Sequence, residues 1–114
     1  MSTDREYVDY LRDILDAVRH AQRFVQGMDF ETFLSDDRTS FAVVRALEIV
    51  GEAAKKIPSG VREEYPAIPW REMAGVRDKL IHDYFGVDLQ VVWRTVIEDL
   101  PPLETVLDHV IGES

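Results

Sequence analysis

An arginine, a histidine and a tyrosine, Arg77, His82 and Tyr84, occupy the stretch 75-GVRDKLIHDYFG-86, whose other residues are spaced like those of a core helix. Arginine and histidine together suit phosphodiester chemistry. A guanidinium binds a phosphate and the charge that develops on it, while an imidazole moves a proton near neutral pH. RNA brings its own nucleophile, because the 2′-hydroxyl can attack the adjacent phosphorus. Asp78 lies four residues before His82, so on a helix its carboxylate can hold the imidazole in one tautomer and favour the protonated form. Unpaired carbonyls at a helix end before Gly86 act in the same direction.

A helix turns about 100° per residue, so Arg77 and Tyr84 share a face whereas Arg77 and His82 diverge by about 140°. One straight helix does not bring them together. A two-fold dimer that packs this helix against its copy would gather two arginines and two histidines in one cleft. The same residues have plainer readings. Arg77 can be a buried arginine paired with Glu48 or Glu52, His82 a helix-end histidine without a role, and Tyr84 a boundary residue with a packed ring and a wet hydroxyl.

The elements that must position these groups read as helices throughout. Apolar residues at Tyr7, Val8, Leu11, Ile14, Leu15, Val18, Ala21 and Val25 keep a three-four spacing, with Thr3 or Asp4 as cap and Gly27 as stop. Asp29 caps a short DFETFL helix that turns Phe30, Phe33 and Leu34 inward, and the polar break SDDRTS follows. A second long helix runs from Phe41 to Ile57 and stops at Pro58. Its Gly51, Ala53 and Ala54 predict that another backbone packs closely there. The proline-rich piece PSGVREEYPAIPW is a connector with one turn at Val61 to Tyr65.

Pro69 then opens a helix to Phe85 with Trp70, Met73, Ala74, Leu80 and Ile81 on one side, Arg77 inside that stripe and Gly86 as its C-terminal cap. The last element begins near Asp88 and reads as one long helix bent at Pro101-Pro102. No hairpin dipeptide separates alternating runs, so strands are not expected. The fold expectation is an all-α, antiparallel up-and-down bundle of four to five main helices, forming a single domain over residues 1–114.

The chain has 114 residues, of which 46% are apolar and 31% charged, the balance of a globular protein. No run approaches the roughly 20 apolar residues of a membrane span, and MSTDREY lacks the basic start and apolar centre of a signal peptide, so a cytoplasmic location is expected. There is no cysteine, hence no disulfide and no thiol nucleophile. Acidic residues outnumber basic ones 22 to 13, a net charge of −9, which argues against a protein that coats nucleic acid with general positive charge. Any RNA contact must be local. The stretch from Arg71 to His82 is a mild positive island, with Arg71, Arg77 and Lys79 against Glu72 and Asp78. His20, His82 and His109 are far apart and show no ligand spacing, so neither a metal nor a cofactor is expected. Acid pairs such as Asp36-Asp37, Glu63-Glu64 and Glu98-Asp99 read as solvated charge at connectors and helix ends.

Three blocks, 47-LEIVGEAAKKIP-58, 66-PAIPWREMAGVRDKLIHDYFGVD-88 and 92-VWRTVIEDLPPL-103, resemble the HepT-like branch of the HEPN superfamily, the toxin partners of minimal nucleotidyltransferase antitoxins. The family's R-x-x-x-x-H signature matches Arg77 through His82, and its H-x-Y extension adds Tyr84. The family commonly has asparagine directly after the arginine. This chain has Asp78, an acid that can orient His82 and also repels phosphate.

The resemblance implies a homodimeric, metal-independent endoribonuclease with Arg77 and His82 of both copies at a composite site; Asp78 joins the candidate catalytic set by its spacing from His82, and Lys79 and Arg71, from the positive island, are the candidate substrate-binding groups. It also implies that a cognate nucleotidyltransferase transfers adenylate to Tyr84 and closes the site by charge and bulk. A different class of function stands beside it: a non-catalytic subunit that docks onto a nucleotidyltransferase and presents a substrate to it.

Overall fold

The computed structural model describes residues 6–80 and 86–113. Every long apolar stripe in the sequence has become a helix: α1 (Tyr7–Phe24), α2 (Phe30–Ser35), α3 (Asp37–Lys55), α4 (Ser59–Glu64), α5 (Trp70–Ala74), α6 (Val76–Leu80), α7 (Leu89–Arg94) and α8 (Leu100–Glu113). A π-helical turn, Thr95–Asp99, joins α7 to α8. There is no strand among the described residues, and the all-α expectation holds. No described helix is long and apolar enough to cross a membrane.

The core forms where α1 packs against α3 and α8. Leu11, Ile14 and Val18 of α1, Val43 and Leu47 of α3, and Leu107 of α8 are all at most 1% exposed. Burying side chains of this size stabilises by about 1.5–3 kcal/mol each before the entropy of ordering them is subtracted. Phe33 of α2 is fully buried, with Trp93 of α7 tilted across it at 5.3 Å between ring centres and across Phe30 at 6.0 Å.

Caps fix several boundaries, and two of them correct the sequence expectation. The Asp29 carboxylate accepts the Thr32 N–H at 2.8 Å, as its position before an apolar helix implies. Asp36 accepts both the Thr39 N–H at 3.1 Å and the Thr39 hydroxyl at 2.8 Å. The expected polar break is therefore the cap and first turn of α3, which starts at Asp37 rather than Phe41. Helix α1 is entered at Glu6, whose N–H is taken by the Asp9 carboxylate at 3.2 Å. The proposed caps Thr3 and Asp4 lie outside the described residues. Gly27, at φ 80°, makes the left-handed turn that an L side chain resists.

The last helix departs from a simple proline kink. Pro101 and Pro102 have no N–H to offer the carbonyls four residues earlier, at Ile97 and Glu98. The irregularity sits just upstream of them, where the Leu100 N–H reaches back five residues to the Thr95 carbonyl. On the surface between α1 and α8, Arg19 donates to Glu104 at 2.9 Å and to Asp108 at 3.2 Å, and Gln22 donates to Glu104 at 2.8 Å.

These hydrogen bonds give the fold a defined acid response. The Arg19 side chain first, and then Gln22, hold the Glu104 carboxyl below its ordinary value of 4.5. Bonds from Thr39 and Thr32 hold Asp36 and Asp29 below 3.8. A carboxylate whose folded pKa is depressed stabilises above its unfolded pKa, and that contribution is lost as pH falls through the folded value. The melting temperature should therefore decline once pH falls below about 4.5, the ordinary glutamate value. Differential scanning calorimetry of Glu104→Gln and Asp36→Asn should show a shallower decline than the parent chain.

Candidate active site

Arg77 is positioned from the end of α3 onward. That helix leaves carbonyls without helical partners at its C-terminus, where the backbone dipoles also favour a cation. Arg62 of α4 turns back onto them, donating from Nε to the Ile57 carbonyl at 2.9 Å and from Nη2 to those of Ala54 and Lys55, each at 3.3 Å. The indole N–H of Trp70 donates to the Arg62 and Tyr65 carbonyls at 3.1 and 3.0 Å. Its ring is 9% exposed, so the start of α5 is pinned by both polar and apolar contact. Pro69 is the cap of α5, so the helix starts at Trp70, one residue later than the sequence suggested.

The single helix expected from Pro69 to Phe85 is divided at Gly75, which ends α5 by donating to the Arg71 carbonyl at 3.0 Å. Met73 and Val76, three residues apart on either side of the division, are both buried where α5 and α6 meet α3, at 4% and 6% exposure. They come unusually close: a Cβ placed on Gly51 would stand 3.0 Å from Val76 Cγ1 and 3.2 Å from the Met73 carbonyl oxygen. The close backbone approach expected at the small residues of α3 is present.

Arg77 follows Val76 and is exposed, although Val76 and Leu80 on either side are buried. It does not belong to the apolar stripe, and the buried pair with Glu48 or Glu52 is corrected. Glu52 instead meets Arg45 at 3.5 Å, and Arg77 faces solvent. Asp78 is exposed as well. His82 and Tyr84 lie outside the described residues, as do Ile81 and Phe85. The ends of their segment are fixed, because the Asp88 N–H donates to the Leu80 carbonyl at 2.7 Å. Gly86, at φ 92°, is in the left-handed region that favours glycine; the helix end it was expected to cap lies outside the described residues.

A groove of about 740 Å³ opens on the neighbouring face. Leu47 and Val50 of α3, Met73, Val76, Leu100 and Leu103 make its apolar walls, while Arg71, Lys79, Glu72 and Asp99 bring charge to it. The structure thus brings Arg71 and Lys79 to one groove. Arg77 is not part of that lining, since two residues along a helix is a turn of about 200°. Within one chain the two sets of cations face different directions. Among the described residues no three His, Cys, Asp or Glu side chains stand together as a metal site would need.

The sequence pattern of the family described as ribonuclease HepT-like matches residues 14–110. The chain belongs to the HepT-like ribonuclease family. It is 55% identical over 100 residues to a Thermococcus cleftensis protein named "Probable ribonuclease HepT", covering 88% of this chain and 91% of that one. A Methanocaldococcus jannaschii protein named as a candidate RNase is 44% identical over 109 residues, covering 96% of this chain and 94% of its own length. Another so named, from Caldanaerobacter subterraneus, is 40% identical over 111 residues, covering 97% and 96%. No solved structure gave a significant match.

Two groups in this HepT-like chain escaped sequence reasoning. Asp99 is solvated, as expected of an acid at a helix end, and it also meets Lys79 at 3.6 Å across the groove. Nothing along the chain signals that α6 and the π turn are neighbours. Arg62 carried no signal beyond its place in a proline-rich connector. His20 and His109 are exposed, as expected. Replacing Arg62 by alanine strands carbonyls at the end of α3 and should lower stability by about 1–3 kcal/mol in urea titrations. Asp99→Asn should change it by less than about 1 kcal/mol, because the pair is more than half exposed.

Proposed function

We propose that this chain is an endoribonuclease that cleaves RNA without a metal, through a composite site formed by Arg77 and His82 of two copies. The observation that carries this reading is Arg77: the arginine of the R-x-x-x-x-H spacing is exposed on a segment tightly bound to the core, in a chain of the HepT-like ribonuclease family.

In the proposed reaction the His82 imidazole removes the proton of the 2′-hydroxyl and that oxygen attacks the adjacent phosphorus. The bond from phosphorus to the 5′-oxygen breaks, and the departing oxygen takes up a proton. The products are a 2′,3′-cyclic phosphate and a 5′-hydroxyl. Arg77 holds the non-bridging phosphate oxygens as their charge grows. Asp78 orients His82, and Arg71 and Lys79 hold phosphates further along the strand. We propose further that the chain is the toxin of a toxin–antitoxin pair, silenced when a partner nucleotidyltransferase transfers adenylate from ATP to Tyr84. A phosphate two residues from His82 places negative charge where the RNA backbone must pass.

Cleavage of a labelled single-stranded RNA should persist in EDTA, leave cyclic phosphate ends, and stop when the scissile ribose is replaced by 2′-deoxyribose. Arg77→Ala and His82→Ala should lower cleavage at least about a hundredfold, the scale of one missing transition-state donor or proton-transfer group. Unchanged growth arrest by either folded variant in cells lacking the partner would instead favour a non-catalytic subunit that presents substrate to a nucleotidyltransferase. Removing Lys79 or Arg71 should weaken binding and reduce the salt dependence of log K by about 0.7 for each single-strand phosphate that is no longer neutralised. Co-expression with a nucleotidyltransferase partner should add mass in adenylate units, and Tyr84→Phe should abolish the addition.

A further inference from the structure

We infer that Gly51 is a positioning residue for Arg77, its missing side chain setting how close the α5–α6 segment lies to α3. The inference rests on the proposal that Arg77 binds the reacting phosphate. Gly51 lies inside a helix, where glycine is less favourable than alanine, and no positive φ demands it. What demands it is space. A Cβ there would be 3.0 Å from Val76 Cγ1 and 3.2 Å from the Met73 carbonyl oxygen, both tighter than ordinary contact. Gly60 and Gly112 meet nothing within 4 Å, so close approach is particular to this site.

The Met73 oxygen belongs to the backbone, so it cannot rotate away as the tip of a flexible side chain would. Alanine at position 51 must lift residues 73–76 by a few tenths of an ångström. The segment is held at one end by the two hydrogen bonds of the Trp70 indole and at the other by the Asp88 bond to Leu80. With both ends fixed, the displacement falls between them, and Arg77 lies there next to Val76. Its guanidinium would then miss the position in which it meets the phosphate, a misplacement that acts on the chemical step rather than on strand binding.

The test measures single-turnover and steady-state cleavage of a labelled single-stranded RNA oligonucleotide by Gly51→Ala, Val76→Ala, the double variant, Gly60→Ala and Arg77→Ala, with melting temperature and oligomeric state beside each. Gly51→Ala should lower kcat about three- to tenfold with KM changed less than about twofold. Val76→Ala in the same chain should recover part of the loss by removing Cγ1, the nearer contact at 3.0 Å, while the Met73 oxygen at 3.2 Å remains, and Gly60→Ala should match the parent. A folded Gly51→Ala chain with full kcat overturns the inference. So does a double variant that folds yet cleaves no faster than Gly51→Ala. If Gly51→Ala does not fold, the double variant decides: a rate below that of Val76→Ala and above that of Arg77→Ala supports the inference, and any other rate overturns it. Undiminished cleavage by Arg77→Ala overturns the underlying reading of Arg77, an outcome distinct from any result at Gly51.

Discussion

The contact of α3 with the two short helices carrying Met73, Val76 and Leu80 is the constraint on which the candidate site depends. Neither short helix would be stable alone, since helices of one or two turns are marginal in water without tertiary packing. Their order comes from burying three apolar side chains against the long, rigid α3, and from the Arg62 and Trp70 hydrogen bonds that end α3 and begin α5. Arg77 gains a fixed origin from this arrangement while its charged end stays in water, where it suffers no desolvation penalty before substrate arrives.

An acidic chain that handles RNA must concentrate its positive charge. Net charge is −9, and the cations near the site are few: Arg77 on one face of α6, Lys79 with Arg71 in the groove on another. Lys79 is partly neutralised by Asp99 at 3.6 Å. Strand binding through so few contacts is expected to be weak and salt-sensitive, so discrimination would rest on the chemical step. In the proposed two-copy site each of these cations would be counted twice.

Much of the fold was legible because it follows from spacing. The α1 and α3 stripes became core, the Asp29 cap was visible from its place before FETFL, and the small residues of α3 marked a close approach that the geometry places at Gly51. SDDRTS looks like a loop, but Asp36 with Thr39 makes it a helix start, a local cap hidden among polar residues. Other signals failed where contacts distant in sequence decide. The segment from Pro69 looks like one helix, but the backbone divides it at Gly75. Arg77 sits at an apolar phase in the sequence, yet it is exposed. The R-x-x-x-x-H spacing itself was legible. The Lys79–Asp99 pair was not, because it joins elements far apart in the chain.

The π turn has a consequence for how one helix can serve two partners. Val92, Val96 and Leu100 are buried at successive four-residue steps, and eight residues exceed two α turns, about 7.2 residues, by about 0.8 of a residue. Without correction the inward stripe would rotate progressively off the core. A wider turn at Thr95–Asp99 absorbs nearly that surplus, so that Trp93 stays on the α2 aromatics while Leu103, Leu107 and Val110 remain in phase with α1. The turn is a phase shifter. Length changes in this segment should therefore be tolerated as whole-turn insertions and not as single residues, which makes it a register lock between the two halves of the bundle.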